Sequence, residues 1–287
     1  MSFEKPRGEV ELSKEIEPKI VLHFFRHSEK APGKPDERIR LSPRGRELAK
    51  QKAAETNLSQ AVAFGSSRDR THETALLVMA GQNNEITGNE TLEELKEKLK
   101  LPYGSKIGLD DRLNFFRDDL STFGKAALEA FVKGYYLKFM VEQSDRLAGD
   151  LDDKVNSTYN RQAANVAEVI LKYVGFIPQW KEILNDPDSI KKYSSDIMER
   201  FMGSHQGVLE SFLARAIEIT EGVDRRNEFV TALDNQGFDY VEGFNVEISQ
   251  NEPIIHLSYS RPRPDGNPFV FNQALTRSQL ESIAALK

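Results

Sequence analysis

Apolar residues fall in short bursts along the chain, and the spacing within each burst changes from region to region. Ile20-Val21-Leu22-His23-Phe24-Phe25 is a nearly continuous apolar run, as expected of a short buried strand, and it stops abruptly at Arg26-His27-Ser28. After the turn-rich stretch Ala31-Pro32-Gly33-Lys34-Pro35-Asp36, a helix is predicted from Pro43 to about Glu55, with Ser42 as N-cap and Pro43 in the first turn. Ala61-Val62-Ala63-Phe64 predicts a second strand, which runs into Gly65-Ser66-Ser67-Arg68-Asp69-Arg70. The helix after it, Thr71 to Ala80, is expected to end at Gly81. Strand, helix, strand, helix in this order predicts a parallel sheet covered by helices.

From Asp119 to about Asn185 the period becomes helical. Tyr159, Ala163, Val166, Ile170 and Tyr173 share one face, and Phe131, Tyr135 and Phe139 repeat in the same way. A strand returns at Arg200-Phe201-Met202-Gly203 and meets Ser204-His205-Gln206-Gly207. Beyond it lies an amphipathic helix with the stripe Leu209, Phe212, Leu213, Ala216 and Ile217. Phe244, Val246 and Ile248 alternate with polar residues, as do Ile255, Leu257 and Tyr259 across Asn251-Glu252-Pro253, which predicts a hairpin. A helix over Arg277 to Lys287 closes the chain. No repeat or low-complexity linker divides the sequence. One domain over 1–287 is expected, with a helical insertion at about 113–193.

Composition narrows the classes. Of 287 residues, 39% are hydrophobic and 29% charged, as in ordinary globular proteins. Acids outnumber bases 45 to 39, for a net charge of −6, which argues against a nucleic-acid or membrane-surface partner. Any anion site must then be a local cluster of Arg, Lys and His. The chain has no cysteine, so disulfides, thiolate metal sites and a Cys nucleophile are excluded. Met1 to Lys19 is charged rather than apolar, and no run approaches the ~20 residues of a membrane helix. A cytoplasmic location is the expectation.

The chemistry-bearing residues gather at strand ends: Arg26-His27, Arg68-Asp69-Arg70 and Ser204-His205. In a parallel sheet these ends share one rim, where helix N-termini also point. Several arginines and two histidines at one rim suit a phosphoryl group. Arg presents a planar fork to phosphate oxygens, and imidazole can act as nucleophile near neutral pH. Arg68 and Arg70 near a helix start oppose the helix dipole, an arrangement that an anion between them would relieve. Other signals read as structural. His72-Glu73 lacks the second histidine of a zinc helix, His23 lies inside the first strand, and His256 sits on the polar phase of the hairpin. The aromatics Tyr135, Tyr136 and Phe139 read as core or cap packing. Lys30 is equally suited to a phosphate and to water.

In combination these stretches resemble the histidine phosphatase superfamily, with its phosphoglycerate-mutase-like fold, in its phosphatase and mutase branch. The family's Arg-His-Gly-Glu signature stands as Arg26-His27-Ser28-Glu29, and its Leu-Thr/Ser-x-x-Gly step as Leu41-Ser42-Pro43-Arg44-Gly45. Its Ser-x-x-x-Arg-x-x-x-Thr-Ala helix entry stands as Ser66 to Arg70 followed by Thr74-Ala75. Its late Ser-His-Gly-Gly stands as Ser204-His205-Gln206-Gly207. The resemblance implies a three-layer α/β/α fold with a mostly parallel central sheet. It implies a phosphomonoester hydrolase working without a metal or other cofactor. His27 would be the nucleophile that carries the phosphoryl group, and Arg26, Arg70, His205 and Ser28 would bind phosphate. The general acid would be a carboxylate between the second and last motifs. Leu109-Asp110-Asp111-Arg112 matches best and selects Asp111, with Asp110, Asp118 and Asp119 as competitors. Ser28 and Gln206 replace family glycines, and Ser28 is acceptable only where the backbone does not need a positive φ. The expected substrate is a phosphorylated small molecule or a phosphoprotein. A mutase is the nearer alternative, although Lys30-Ala31-Pro32-Gly33 stands where mutases carry Trp-Asn. A phosphate- or phosphoprotein-binding module without turnover is the other.

Overall fold

The computed structural model describes residues 17–53, 61–80, 90–98, 108–191, 195–250 and 254–287. The expected cap at Gly81, the hairpin turn at 251–253, the helix end beyond Ala53 and most of the charged N-terminal stretch lie outside the described residues. The strands are β1 (Lys19–Arg26), β2 (Val62–Gly65), β3 (Gly108–Leu109), β4 (Ile197–Ser204), β5 (Gly243–Ser249), β6 (Ile255–Arg261) and β7 (Phe269–Leu275). The helices are α1 (Pro43–Ala53), α2 (Asp69–Ala80), α3 (Leu92–Lys98), α4 (Thr122–Val132), α5 (Tyr136–Phe139) and α6 (Asp145–Asp150). They continue as α7 (Tyr159–Asn185), α8 (Pro187–Ile190), α9 (Val208–Glu221), α10 (Val223–Ala232) and α11 (Arg277–Ala284). None of these helices is long and apolar enough to cross a membrane.

All seven strands join one sheet in the order β3-β2-β4-β1-β5-β6-β7. It is parallel from β3 to β1 and antiparallel from β1 to β7. Register sets the ends of the parallel strands side by side: Arg26 lies opposite Ser204, and Phe64 opposite Met202. The α/β/α layering follows from the alternation within β1. Ile20, Leu22 and Phe24 join the core formed with α7, α9 and α11, whereas Phe25 packs with α2 and Phe201 on the other face. The α9 stripe of Leu209, Phe212, Leu213, Ala216 and Ile217 is fully buried. Each large side chain there contributes at most ~3 kcal/mol to holding α9 on the sheet.

Ser42 caps α1 as its position predicts, accepting from Gly45 N at 2.9 Å. The predicted repeat of Phe131, Tyr135 and Phe139 does not lie on one helix. Gly134 takes φ +79 and ends α4, so Phe131 is left half exposed while Phe139 enters a small core with Phe123, Ala127 and Met140. The segment 113–193 also divides. Tyr159, Ala163, Val166 and Ile170 of α7 pack directly on the sheet core, and only the stretch around α4 stands over the strand ends. The apolar pattern does not predict strand β7 or helix α10. Phe269-Val270-Phe271 is too short a burst to separate from a turn by pattern alone.

Candidate active site

The parallel strands end at a cleft of about 550 Å³. Arg26 and His27 reach it from the end of β1, Arg68 and Arg70 from the junction of β2 and α2, and His205 from the junction of β4 and α9. The carboxyl edge of an open α/β sheet is where ligands are expected. Here the sheet itself seals the register, as His27 N donates to Ser204 O at 2.8 Å. Two glycines allow the close packing behind this rim. A Cβ on Gly203 would lie 2.2 Å from Thr71 O, so α2 sits tightly against β4. Gly207, with φ +85, opens α9, and a Cβ there would meet the Tyr136 ring at 2.6 Å.

His27 is held in one tautomer. Its Nδ1 donates to Ser28 O at 2.7 Å, leaving the Nε2 lone pair to face Arg70, whose Nε donates to it at 3.2 Å. Burial, with the Arg70 charge beside it, holds the His27 imidazolium well below the ordinary histidine range. His205 is shifted in the same direction by burial and by the neighbouring His27 and arginines. The two rings lie 5.2 Å apart, edge to face. His205 Nε2 shares a 2.8 Å hydrogen bond with Ser66 Oγ, while its buried Nδ1 meets no partner. Arg26 Nη1 donates to Phe238 O at 2.5 Å, its guanidinium covers the Tyr240 ring, and its buried Nε is also unpartnered. Burial lowers Arg68 and Arg70 to about 10, so both remain cations at neutral pH.

Asp36 fills part of this cluster. Arg70 donates to its carbonyl oxygen at 2.8 Å and to its Oδ2 at 3.1 Å. Lys30 Nζ donates to Oδ1 at 2.7 Å, and Arg68 pairs with Oδ2. A carboxylate thus engages the cations that the sequence assigns to phosphate. Glu73, next to His72, has a structural part: it is fully buried and accepts from Arg40, Arg46 and Leu41 N at 2.7–3.1 Å. It pins α2 to the loop before α1. Among the described residues, no group of three His, Asp or Glu side chains is placed to hold a metal ion.

The structure brings Arg26, His27, Arg70 and His205 together, with Arg68 and Lys30 beside them. It does not bring Asp111 into the cleft. Asp110 caps its own turn, accepting from Arg112 N at 3.2 Å and pairing with the Arg112 guanidinium, and this turns Asp111 outward, where it is exposed. Asp119, the competitor further along, lines the cleft and pairs with Arg117. Ser28 is fully buried behind His27 and does not line the cleft. Its amide donates to Thr74 Oγ1 at 3.0 Å, and its backbone is not in the positive-φ region, so a side chain is tolerated there. The pattern gave no role to Asp36, Glu37, Arg117, Phe115 or Tyr240, all of which border the cleft. Only tertiary pairing carries that information.

No known family model matches the sequence, and no curated protein matches it significantly. Solved structures do match. A mycobacterial glucosyl-3-phosphoglycerate phosphatase in complex with inorganic phosphate aligns at 13% identity over 91% of this chain and 98% of its own, with a TM-score of 0.43. The α-ribazole phosphatase of Shigella flexneri aligns at 14% identity over 90% and 96% of the two chains, with a TM-score of 0.38. A phosphoserine phosphatase from Entamoeba histolytica aligns at 14% identity over 91% and 98%, with a TM-score of 0.37. Values this low leave any assignment of function to the geometry of the site itself.

Proposed function

We propose that this protein is a phosphomonoester hydrolase of the histidine phosphatase type, working through a phosphohistidine on His27. One observation carries the reading. Two buried nitrogens, His205 Nδ1 and Arg26 Nε, stand unpartnered in a cationic cleft beside an imidazole whose Nε2 carries no proton of its own. Buried polar atoms are nearly always satisfied, so unpaired ones at a cleft mark the place of a ligand. Where Ser66 donates to His205 Nε2, the His205 proton sits on Nδ1 and is available to a phosphate oxygen.

His27 Nε2 attacks phosphorus as the bond to the leaving oxygen breaks; the proton of the phosphomonoester monoanion, passed through Asp119 as that carboxylate leaves Arg117, goes to the leaving oxygen. Water then attacks the phosphohistidine with Asp119 as base, the P–N bond breaks, and inorganic phosphate leaves. Arg26, Arg68, Arg70 and His205 hold the three non-bridging oxygens, the electrostatic part that phosphoryl transfer chiefly needs. Arg donors supply this charge, so turnover in excess EDTA is part of the expectation.

The test is trapping of an acid-labile, base-stable phosphoenzyme from a ³²P-labelled monoester, with p-nitrophenyl phosphate turnover measured alongside. His27→Ala should abolish the label and reduce kcat/KM at least ~10³-fold. Full turnover by that variant would end the proposal.

A further inference from the structure

The two ends of the cleft are chemically unlike. Arg26, His27, Arg68, Arg70 and His205 form one end, while Leu128, Phe131 and Tyr136 form a wall on the side of α4. Helix α4 is apolar on two faces. Phe123, Ala127 and Ala130 fill the small cap core, whereas Leu128 and Phe131 border the cleft with 37% and 48% of their surfaces exposed. The Phe131 and Tyr136 rings meet edge to face at 6.0 Å, so α4 and α5 contribute to one wall. It continues into the phosphoryl end through Phe115, which carries Arg68 at 4.4 Å on its face and meets His205 at 5.0 Å, and through Tyr240 beneath Arg26.

Neutral hydrogen-bonding groups are few in this lining. Among the described residues they are, besides the histidines, Gln206, one N–H of which donates to Gln236 O at 2.8 Å, and the hydroxyls of Tyr136 and Tyr240. The carboxylates that could serve a polyol's hydroxyls are already engaged, Asp36 with Lys30, Arg68 and Arg70 and Asp119 with Arg117, so a hydroxyl bound there displaces an ion pair. An apolar wall that opens on a cationic pocket fits a ligand with one anionic head and a water-avoiding body.

Resting on the phosphatase reading above, we propose that the substrate is the phosphomonoester of an apolar alcohol, an O-alkyl or O-aryl phosphate whose body lies along Leu128, Phe131 and Tyr136. Glycerol and sugar phosphates leave this wall uncovered. Each methylene buried against it should raise affinity about fourfold until the wall is covered.

A matched series tests this: ethyl, propyl, butyl, pentyl and hexyl phosphate with glycerol 3-phosphate, all unactivated alkoxide leaving groups, so that chemistry is held nearly constant. Binding of the corresponding alkylphosphonates, which are not hydrolysed, is measured in parallel by calorimetry. The expected result is a several-fold rise in kcat/KM with each early methylene, with glycerol 3-phosphate no better than propyl phosphate. Phosphonate affinity should rise in step, and the double variant Leu128→Ser/Phe131→Ser should flatten both slopes. Hydrolysis with no dependence on chain length, or a preference for glycerol 3-phosphate, overturns the substrate class and leaves the phosphatase reading standing. Length-dependent phosphonate binding without hydrolysis does the reverse. A double variant that keeps the wild-type slopes removes the wall from the account.

Discussion

The floor and the roof of the cleft are built by different rules. The floor is three consecutive strand ends of a parallel sheet, and its side chains are charged, mostly buried and locked by short contacts such as His27 Nδ1 to Ser28 O. The roof runs from Phe115 to Tyr136, a stretch with its own small core, and presents apolar and aromatic surface that is partly open to water. A rigid floor suits a reaction that needs fixed charges around phosphorus. A roof that packs mainly against itself can change its surface without disturbing the sheet. Asp119 breaks this division: it belongs to the roof, yet the proposed chemistry assigns it a proton.

The largest effect expected from the roof therefore comes from Asp119. With an alkyl phosphate, whose leaving alkoxide must be protonated, Asp119→Asn should reduce kcat ~10²-fold. With p-nitrophenyl phosphate, whose phenolate leaves unaided, the loss should stay below about tenfold. Asp111→Asn, exposed and outside the cleft, should remain within about twofold on both substrates. A larger loss from Asp111 than from Asp119 would return the acid to the position that spacing favours, and the roof would then be purely a selector.

The contrast also explains what could be read from the chain. Arg26 and His27 are neighbours at the end of an apolar run, and Arg70 lies in the first turn of a helix, so local pattern and strand order suffice to gather them. Ser204-His205 follows the same rule at the end of β4. The acid does not. Leu109-Asp110-Asp111-Arg112 looks right as text, but Asp110 spends its carboxylate on Arg112, an i to i+2 contact that reverses the chain and leaves Asp111 outside. Asp36 lies in a stretch that reads only as a turn, and its meeting with Arg68 and Arg70 is set by tertiary packing. Phe131 failed for the opposite reason: a helical period ran across Gly134, and the period concealed the break.

Acid should act on the floor before the roof. His27 and His205 both bind protons less readily in the folded chain than in the unfolded one, so the unfolded state gains protons first as pH falls below about 6.5. Their contribution to stability is complete above that value and declines below it. Glu210 works against this trend. It is buried at the start of α9, accepts from Gly207 N and Phe238 N at 2.7 Å each, and is raised to about 7, so the folded state favours its protonated form as pH falls. Between pH 6.5 and 5.5 the two histidines should outweigh it, and urea unfolding should show stability falling by ~1 kcal/mol. His205→Asn should flatten that slope and Glu210→Gln should steepen it. Identical slopes in all three proteins would mean that the floor's protonation is not coupled to folding.

The smallest effect is the one that asks whether floor and loop compete. Arg70 has five N–H donors. Its Nε is engaged by His27, and its two terminal nitrogens each spend one on Asp36, through the backbone carbonyl and through Oδ2. A phosphate that takes the side of the Arg70 fork now held by Asp36 displaces that carboxylate, so part of its attraction replaces an existing ion pair. Asp36→Ala removes that competitor and frees Lys30 and Arg68 as well. Asp36 is about one-third exposed (37%), so its pairings are partly screened and the gain is modest. Inorganic phosphate should inhibit the variant two- to fivefold more tightly, a factor set by the ~1 kcal/mol ceiling of such pairs. The gain should shrink as ionic strength rises. Weaker inhibition would assign Asp36 the opposite duty, that of holding Arg68 and Arg70 in the position where phosphate needs them, and the loop would then count as part of the floor.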